Sequence, residues 1–310
     1  MNHTVHQAVL FEEAVTQLAV RADGVYVDAT YGRGGHSREI LRHLDAEGRL
    51  IAIDRDPEAV AAALTEWKDE RRFTVHRGVF SMLEGIVQQH GVSGQVNGVL
   101  LDLGVCSAQL DDARRGFSFL RDGPLDMRMD PDSGESAAAW LARAAQTEIA
   151  EVIRRYGEER FARRIARAII MARAVTPVGT TQQLAAIVSA AVPTRERSKH
   201  PATRTFQALR IYLNRELEEL AACLDQCLRV LAPGGRLVVI SFHSLEDRLV
   251  KRFIRSHAHA APPDPKAPWL SPTMRPGLRA VGKLLRPQPA EIERNPRARS
   301  AVLRTAERLA

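Results

Sequence analysis

Four short apolar runs in the first third of the chain, three of them ending in aspartate, constrain the fold most. Gly24-Val25-Tyr26-Val27 runs into Asp28, Gly48 to Ile53 runs into Asp54, and Gly98 to Leu101 runs into Asp102, with Phe73 to His76 between the last two. Helical stretches separate them, from Ser37 to Leu44 and from Pro57 to Trp67. Apolar strands without polar alternation are buried on both faces, and a strand–helix rhythm of this kind predicts a parallel, doubly wound α/β sheet. In such a sheet ligands lie beyond the carboxyl ends of the strands, where the three acids fall.

The stretch VDATYGRGGHS, Val27 to Ser37, joins the first strand to the first helix. Its glycines are Gly32, Gly34 and Gly35, so the third glycine of the dinucleotide pattern G-x-G-x-x-G is missing. Asp28 beside the turn repels a pyrophosphate and suits an ammonium. S-adenosylmethionine carries an ammonium, a carboxylate, a ribose and an adenine, and no phosphate. Asp28 is expected to serve the ammonium, and the amides of Gly34, Gly35 and His36 the carboxylate at the helix start. Asp54 is placed for the ribose hydroxyls and Phe80 for the adenine. On the residues alone, methyl transfer leads, with a nicotinamide enzyme and a packed non-catalytic sheet as alternatives.

The rhythm stops after Asp102. A connection rich in Asp, Arg and Gly, Leu110 to Met129, is followed by helical stretches at about 135–153, 158–174 and 181–190, then by a basic linker at 193–204. Apolar residues from Phe206 to Leu231 then keep one face of a long helix, which Pro233-Gly234-Gly235 ends before a fifth strand, Arg236 to Phe242. The expected organisation is a discontinuous core, 1–105 and 206–310, with a mainly helical substrate-recognition domain inserted at 106–205. Residues 258–290 read as an irregular loop.

Two further stretches carry polar groups. DLGVCSAQLDDARRGFSF starts at the fourth strand end and offers Asp102, Ser107 and Gln109. GPLDMRMD alternates Asp126, Arg128 and Asp130 with Leu125, Met127 and Met129, either as a short strand with a buried methionine face or as a substrate-facing loop. SFHSLEDR places His243, Ser244, Glu246 and Asp247 where the fifth strand meets a helix. A hydrolase relay is disfavoured there, because no glycine elbow surrounds either serine.

Among 310 residues the formal charge is +7, with 5% aromatics. The cations cluster at Arg154 to Arg173, at Arg195, Arg197, Lys199, His200 and Arg204, and near the C-terminus. Phosphate contact suits them better than base stacking. No apolar run approaches the length of a membrane span, and the N-terminus lacks a basic-then-apolar signal, so the cytoplasm is expected. Cys106, Cys223 and Cys227 form no paired framework, and no metal site is expected.

YVDATYGRGGHS, AIDRDPEA, LLDLGV, RGFSF, GPLDMRMD, YGEERFARRIARAI, HPATRTFQALRI, APGGRL, SFHSLEDR and NPRARSAVLR, in this order, resemble the bacterial 16S rRNA (cytosine-N4) methyltransferase (RsmH, MraW) family over nearly the whole chain. The resemblance implies a class I, Rossmann-like methyltransferase core with an inserted helical domain. It implies methyl transfer from S-adenosyl-L-methionine to the exocyclic N4 of one cytidine, position 1402, in the decoding region of 16S rRNA within the small ribosomal subunit. Cofactor contacts would fall on Gly34, Gly35, His36, Asp54, Phe80, Asp102 and Gln109, with Asp28 added from geometry. Asp102 and Ser107 are the catalytic candidates. Asp126, Arg128, Arg195, Arg197, Lys199, His243, Ser244 and Glu246 are the substrate-binding candidates. Cys106, Ala8 and Val79 depart from the family pattern. A homodimer is compatible with the sequence, which carries no interface signature. A DNA amino-methyltransferase is the main alternative, but the Pro-Pro expected after strand four is absent.

Overall fold

Alternation along five apolar strands decides how the sheet is covered. The structure, a computed structural model, describes residues 8–193, 200–258 and 276–310. The chain divides into one unit of Met1–Gly104 and Leu217–Ala310 and a second of Val105–Glu216. The first begins with α1 (Phe11–Leu18), β1 (Val25–Asp28), α2 (Gly35–His43), β2 (Arg49–Asp54), α3 (Pro57–Glu66), β3 (Phe73–Arg77), α4 (Leu83–Gln89) and β4 (Val96–Asp102). The second contains α5 (Ser107–Asp111), α6 (Ala137–Arg143), α7 (Gln146–Gly157), α8 (Ala162–Arg173), α9 (Thr181–Ala191) and α10 (Thr203–Leu213). The chain returns to the first unit along α11 (Glu216–Val230), then β5 (Leu231–Ser241), α12 (Ser244–Ala258), β6 (Leu278–Leu285), α13 (Pro289–Arg294) and β7 (Val302–Arg308).

The seven strands lie in the order β3-β2-β1-β4-β5-β7-β6. β1 to β5 are parallel, β7 is antiparallel to β5, and β6 is antiparallel to β7. Val27, Ile51, Ile53, Val99, Leu101, Leu237 and Val239 face α4, α11 and α12 through Ile86, Leu224 and Phe253. Tyr26, Leu50, Ala52, Leu100, Val238 and Ile240 face the other way, onto Leu18 of α1, Ile40 of α2 and Ala63 of α3. Successive side chains of a strand point to opposite faces, so a continuous apolar run supplies both layers. Cys223 and Cys227 are buried in the first of them. The topology bears out the expected class. The order reverses between β1, with β2 on one side, and β4 on the other, which is where an open α/β sheet leaves a ligand crevice.

The second unit is helical around its own core, with Trp140, Ile153, Ile165, Leu184 and Leu209 buried. A Cβ on Gly157 would lie 2.6 Å from the Arg204 carbonyl, so only glycine allows α7 to approach α10 this closely. α10 belongs to this unit, whereas the sequence placed the boundary at 205/206; it falls at 216/217. The long helix read from Phe206 to Leu231 is two helices. Arg215 is left-handed at φ 52°, while the apolar spacing continues across the break and hides it. The stretch 135–153 likewise contains α6 and α7, separated by extended backbone at Ala144 and Ala145. β6 falls partly in the stretch read as loop, and β7 and α1 went unread; in β6, cations and Gly282 obscure the alternation. No helix among the described residues is long and apolar enough to cross a membrane.

Asn214 pins the second unit. Its buried amide donates to the carbonyls of Met127 and Arg210, both at 2.8 Å, and accepts from Met129 N–H at 2.8 Å. Asn214→Ala strands these groups, and unsatisfied buried partners cost about 1–3 kcal/mol each. Urea denaturation of the full chain is expected to register a loss of at least ~2 kcal/mol, with the loss confined to the second unit in hydrogen exchange.

Candidate active site at the strand ends of the first unit

The turn after β1 is built from hydrogen bonds that only its own residues supply. Asp28, 1% exposed, accepts the Ser37 hydroxyl at 2.6 Å and the Thr30 N–H at 3.2 Å. Asp54 accepts Gly32 N–H at 2.6 Å and Asp56 N–H at 2.8 Å. Thr30 in turn accepts the Asp102 N–H at 2.6 Å through its hydroxyl oxygen. The ends of β1, β2 and β4 are thereby held in one arrangement. Gly32 and Gly34 take φ of 56° and 70°, and a Cβ on Gly34 would come within 2.5 Å of the Tyr31 hydroxyl. The turn therefore demands glycine on both counts. α2 starts at Gly35, so the amides of Gly35, His36 and Ser37 have no acceptor within the helix.

The electrostatics of this pocket are set by desolvation. Asp28 is pushed up to about 6, chiefly by burial, against the pull of its Ser37 bond. Burial also raises Asp54. Asp102 lies well above the ordinary carboxylate range, from burial first and then from repulsion by Asp28 and Glu246. Its side chain keeps 23% exposure, but Oδ1 is buried with no hydrogen-bond partner. His36 is lowered to about 4 by burial alone, so its ring is neutral at pH 7. The ring stacks on Phe11 at 5.8 Å and sets Nδ1 3.9 Å from Asp102 Oδ2, while Nε2 is buried without a partner. Unsatisfied buried polar atoms in one pocket call for a polar ligand.

These donors fit S-adenosylmethionine. The helix-start amides suit a carboxylate, Asp54 can still accept hydroxyls through its remaining lone pairs, and Phe80 stands half-buried in a short turn after β3. Asp28 differs from its expected role. Both of its oxygens are taken by Ser37 and Thr30, so it holds the turn from beneath. Ser37 and Thr30 were missed by the sequence reading, although both stand within the glycine stretch.

The other candidates divide between the units. In the second, Ser107 opens α5 and Gln109 accepts the Cys106 N–H at 3.0 Å, closing a cap over the helix start. Asp126 and Arg128 pair with each other through bonds of 2.8 and 2.9 Å, and Leu125, Met127 and Met129 are buried. The methionine face exists, but on a loop, with Met127 at φ 65°. In the first unit, Glu246, 2% exposed, accepts from Phe242 N–H at 2.8 Å and His243 N–H at 3.3 Å, so this pair caps the entrance to α12 beside Ser244. Of the basic residues of α7 and α8, Arg154 pairs with Glu151 and Arg173 binds the carbonyls of Leu141 and Ala144. Arg163, Arg164 and Arg167 are exposed on one side of α8, with no ion pair among the described residues. Arg195, Arg197 and Lys199 lie outside the described residues.

A switch-point crevice lined by strand-end acids, under a glycine turn without a dinucleotide cradle, defines a class I, Rossmann-like S-adenosylmethionine-dependent methyltransferase core. The profile of the MraW methylase family matches residues 3–309, and the chain belongs to that family. It is 60% identical over 306 residues to the ribosomal RNA small subunit methyltransferase H of Thioalkalivibrio sulfidiphilus, covering 98% of each. It is 55% identical over 304 residues to the protein of the same name from Coxiella burnetii, covering 98% of this chain and 99% of that one. A putative rRNA-methylase structure from Clostridium thermocellum aligns over 99% of this chain and 98% of its own, at 11% identity and a TM-score of 0.45, and nothing further rests on that likeness.

The buried pair His36 and Asp28 gives opposite pH dependences. With its folded value raised to about 6, Asp28 makes the folded protein bind more protons than the unfolded chain, so its contribution falls as pH rises through about 4 to 6. With its folded value lowered to about 4, His36 makes the folded protein bind fewer, so its contribution rises with pH from about 4 to 6.5. In denaturation midpoints between pH 4 and 6.5, Asp28→Asn is expected to steepen the rise in stability with pH, and His36→Asn to flatten or invert it. The same slope in both variants and the parent would refute the assignment.

Proposed function

We propose that this chain transfers a methyl group from S-adenosyl-L-methionine to the exocyclic N4 of a single cytidine, position 1402, in the decoding region of 16S rRNA, with the small ribosomal subunit as its partner. The observation that carries the reading is the partnerless, buried Asp102 Oδ1 at the end of β4, in a chain that matches one methylase family from residue 3 to 309. The names of the relatives, small-subunit ribosomal RNA methyltransferases, support the substrate class.

When bound, S-adenosylmethionine supplies an electrophilic methyl group on a sulfonium. Gly34, Gly35 and His36 would hold its carboxylate and Asp54 its ribose, with Phe80 against its adenine. The cytosine N4 is a poor nucleophile, because its lone pair is delocalised into the ring. A group that accepts an N4 hydrogen bond localises that pair, and the same group must take a proton as the new N–C bond forms. Asp102 Oδ1 has an open acceptor position, and burial strengthens its hold on a proton. His36, neutral and beside Asp102, leaves that charge uncancelled. The target base must leave its stack to enter such a pocket. The roles of Ser107 and Gln109 rest on the family motif alone. Arg163, Arg164 and Arg167 are the exposed cations offered to phosphates by the second unit.

Asp102→Asn keeps the shape and removes the base, so turnover on small subunits is expected to fall by a factor of about 10² or more, the usual reach of general-base catalysis. Asp54→Ala is expected to weaken cofactor binding in calorimetry by about tenfold or more, the worth of one hydrogen bond to a charged group. Nuclease digestion and mass spectrometry of 16S rRNA, naked and assembled, should find N4-methylcytidine chiefly from the assembled particle. A C5-methyl product would rule out the amine mechanism.

A further inference from the structure

We propose that a cavity between α12 and the β6–β7 hairpin, on the first unit, is a docking subsite for a backbone phosphate of the RNA substrate. The inference rests on the RNA reading above and adds a site outside the strand-end pocket. The cavity has a volume of about 240 Å³. Lys251 and Arg255 of α12 and Lys283 of β6 line it, all three exposed and without an ion-pair partner among the described residues. The remaining cation there, Arg304, is spent on Asp247 at 2.6 Å, which also neutralises the nearby carboxylate. Three uncompensated positive charges therefore converge on one concavity.

A second observation is independent of charge. Thr305 of β7 lines the same cavity, is 5% exposed, and has a hydroxyl with no hydrogen-bond partner. A buried hydroxyl without a partner is costly unless a ligand or water completes it. Phosphate oxygens are acceptors only, and they complete a hydroxyl donor and cations together. The hairpin is also shaped locally. Its register shifts between Val281 and Leu285, where Gly282 takes φ 65° with open space around its missing Cβ. A bulge of this kind bends the strand and re-aims the side chains beside it, here Lys283. Ile254 and Val281 leave an apolar floor against which a ribose can rest.

The test uses the full chain, a fluorescent single-stranded RNA and inorganic phosphate. K251A/R255A/K283A removes exposed cations only, and Thr305→Val is nearly isosteric; circular dichroism and unchanged binding of S-adenosylmethionine establish that both variants are folded. The slope of log affinity against log salt is expected to drop by about 2 in the triple variant, at about 0.7 for each phosphate of a single strand that is no longer neutralised. Thr305→Val is expected to bind RNA about tenfold more weakly, as when a hydrogen bond to a charged group is removed. Millimolar phosphate should compete with RNA in the parent and not in the triple variant. Equal salt slopes, or phosphate that binds the cavity without displacing RNA, overturn the proposal. Because binding is read without turnover, failure to methylate 16S rRNA would count against the proposed function alone.

Discussion

The hydrogen bond from the Asp102 N–H to the Thr30 hydroxyl, 2.6 Å long, joins the end of β4 to the turn after β1 across the point where the strand order reverses. Its neighbours extend it. Thr30 N–H is held by Asp28, Asp28 is held by Ser37 of α2, and Gly32 is held by Asp54 of β2. Three strands and one helix thus share a single polar seam in which each side chain fixes the backbone of the next element. Breaking one link leaves a buried acceptor or donor unpaired, and in a low-dielectric setting that penalty is larger than the bond itself. The apolar layers explain why the sheet forms; the seam explains why its carboxyl end has one shape.

That seam has an electrostatic consequence. Asp28, Asp54, Asp102 and Glu246 are brought together in a chain whose net charge is +7, and the three aspartates have no arginine or lysine ion pair among the described residues. Burial raises these three rather than a partner lowering them. Elsewhere the protein does the opposite: Glu70 is brought down to about 2 by the Arg72 guanidinium beside it. The contrast separates carboxylates that stabilise the surface from carboxylates held ready for a proton or a cation, and clusters of the second kind mark functional pockets.

The sheet, its three terminal acids and the glycine turn were legible in the sequence because each rests on local pattern: a continuous apolar run, an acid at its end, glycines where φ turns positive. His36 was legible as a position and not as a state, since its neutrality comes from packing under Phe11, a residue of another helix. The partners of Asp28 were hidden for a related reason, because a sequence shows a carboxylate and not which hydroxyl reaches it. Asp126–Arg128 and His243–Glu246 read as polar groups offered to a substrate, yet each is engaged with its own neighbour two or three residues away. Spacing of that size permits a cap or an ion pair as readily as a ligand contact. The break at Asn214-Arg215 escaped because the hydrophobic period runs through it unchanged, while the bonds that make it come from Met127 and Met129, some eighty-five residues earlier.

The antiparallel end of the sheet follows a different logic from the parallel part. β1 to β5 are covered on both faces and have little freedom to carry exposed charge. β7 returns antiparallel beside β5 with β6 at the edge, and β6 is largely exposed. An open edge strand invites pairing with other chains, and charge, glycine and bulges are the common means of discouraging it. β6 carries all three, in Arg279 and Lys283, in Gly282, and in the register shift after Val281. Protection of the edge accounts for scattered charge on the outward side of the strand. It does not account for Lys283 facing a cavity together with Lys251 and Arg255 of another element, nor for the unpaired Thr305 hydroxyl beneath them. Charges that serve only solubility repel each other apart, so their convergence over a buried donor needs an anion to offset it.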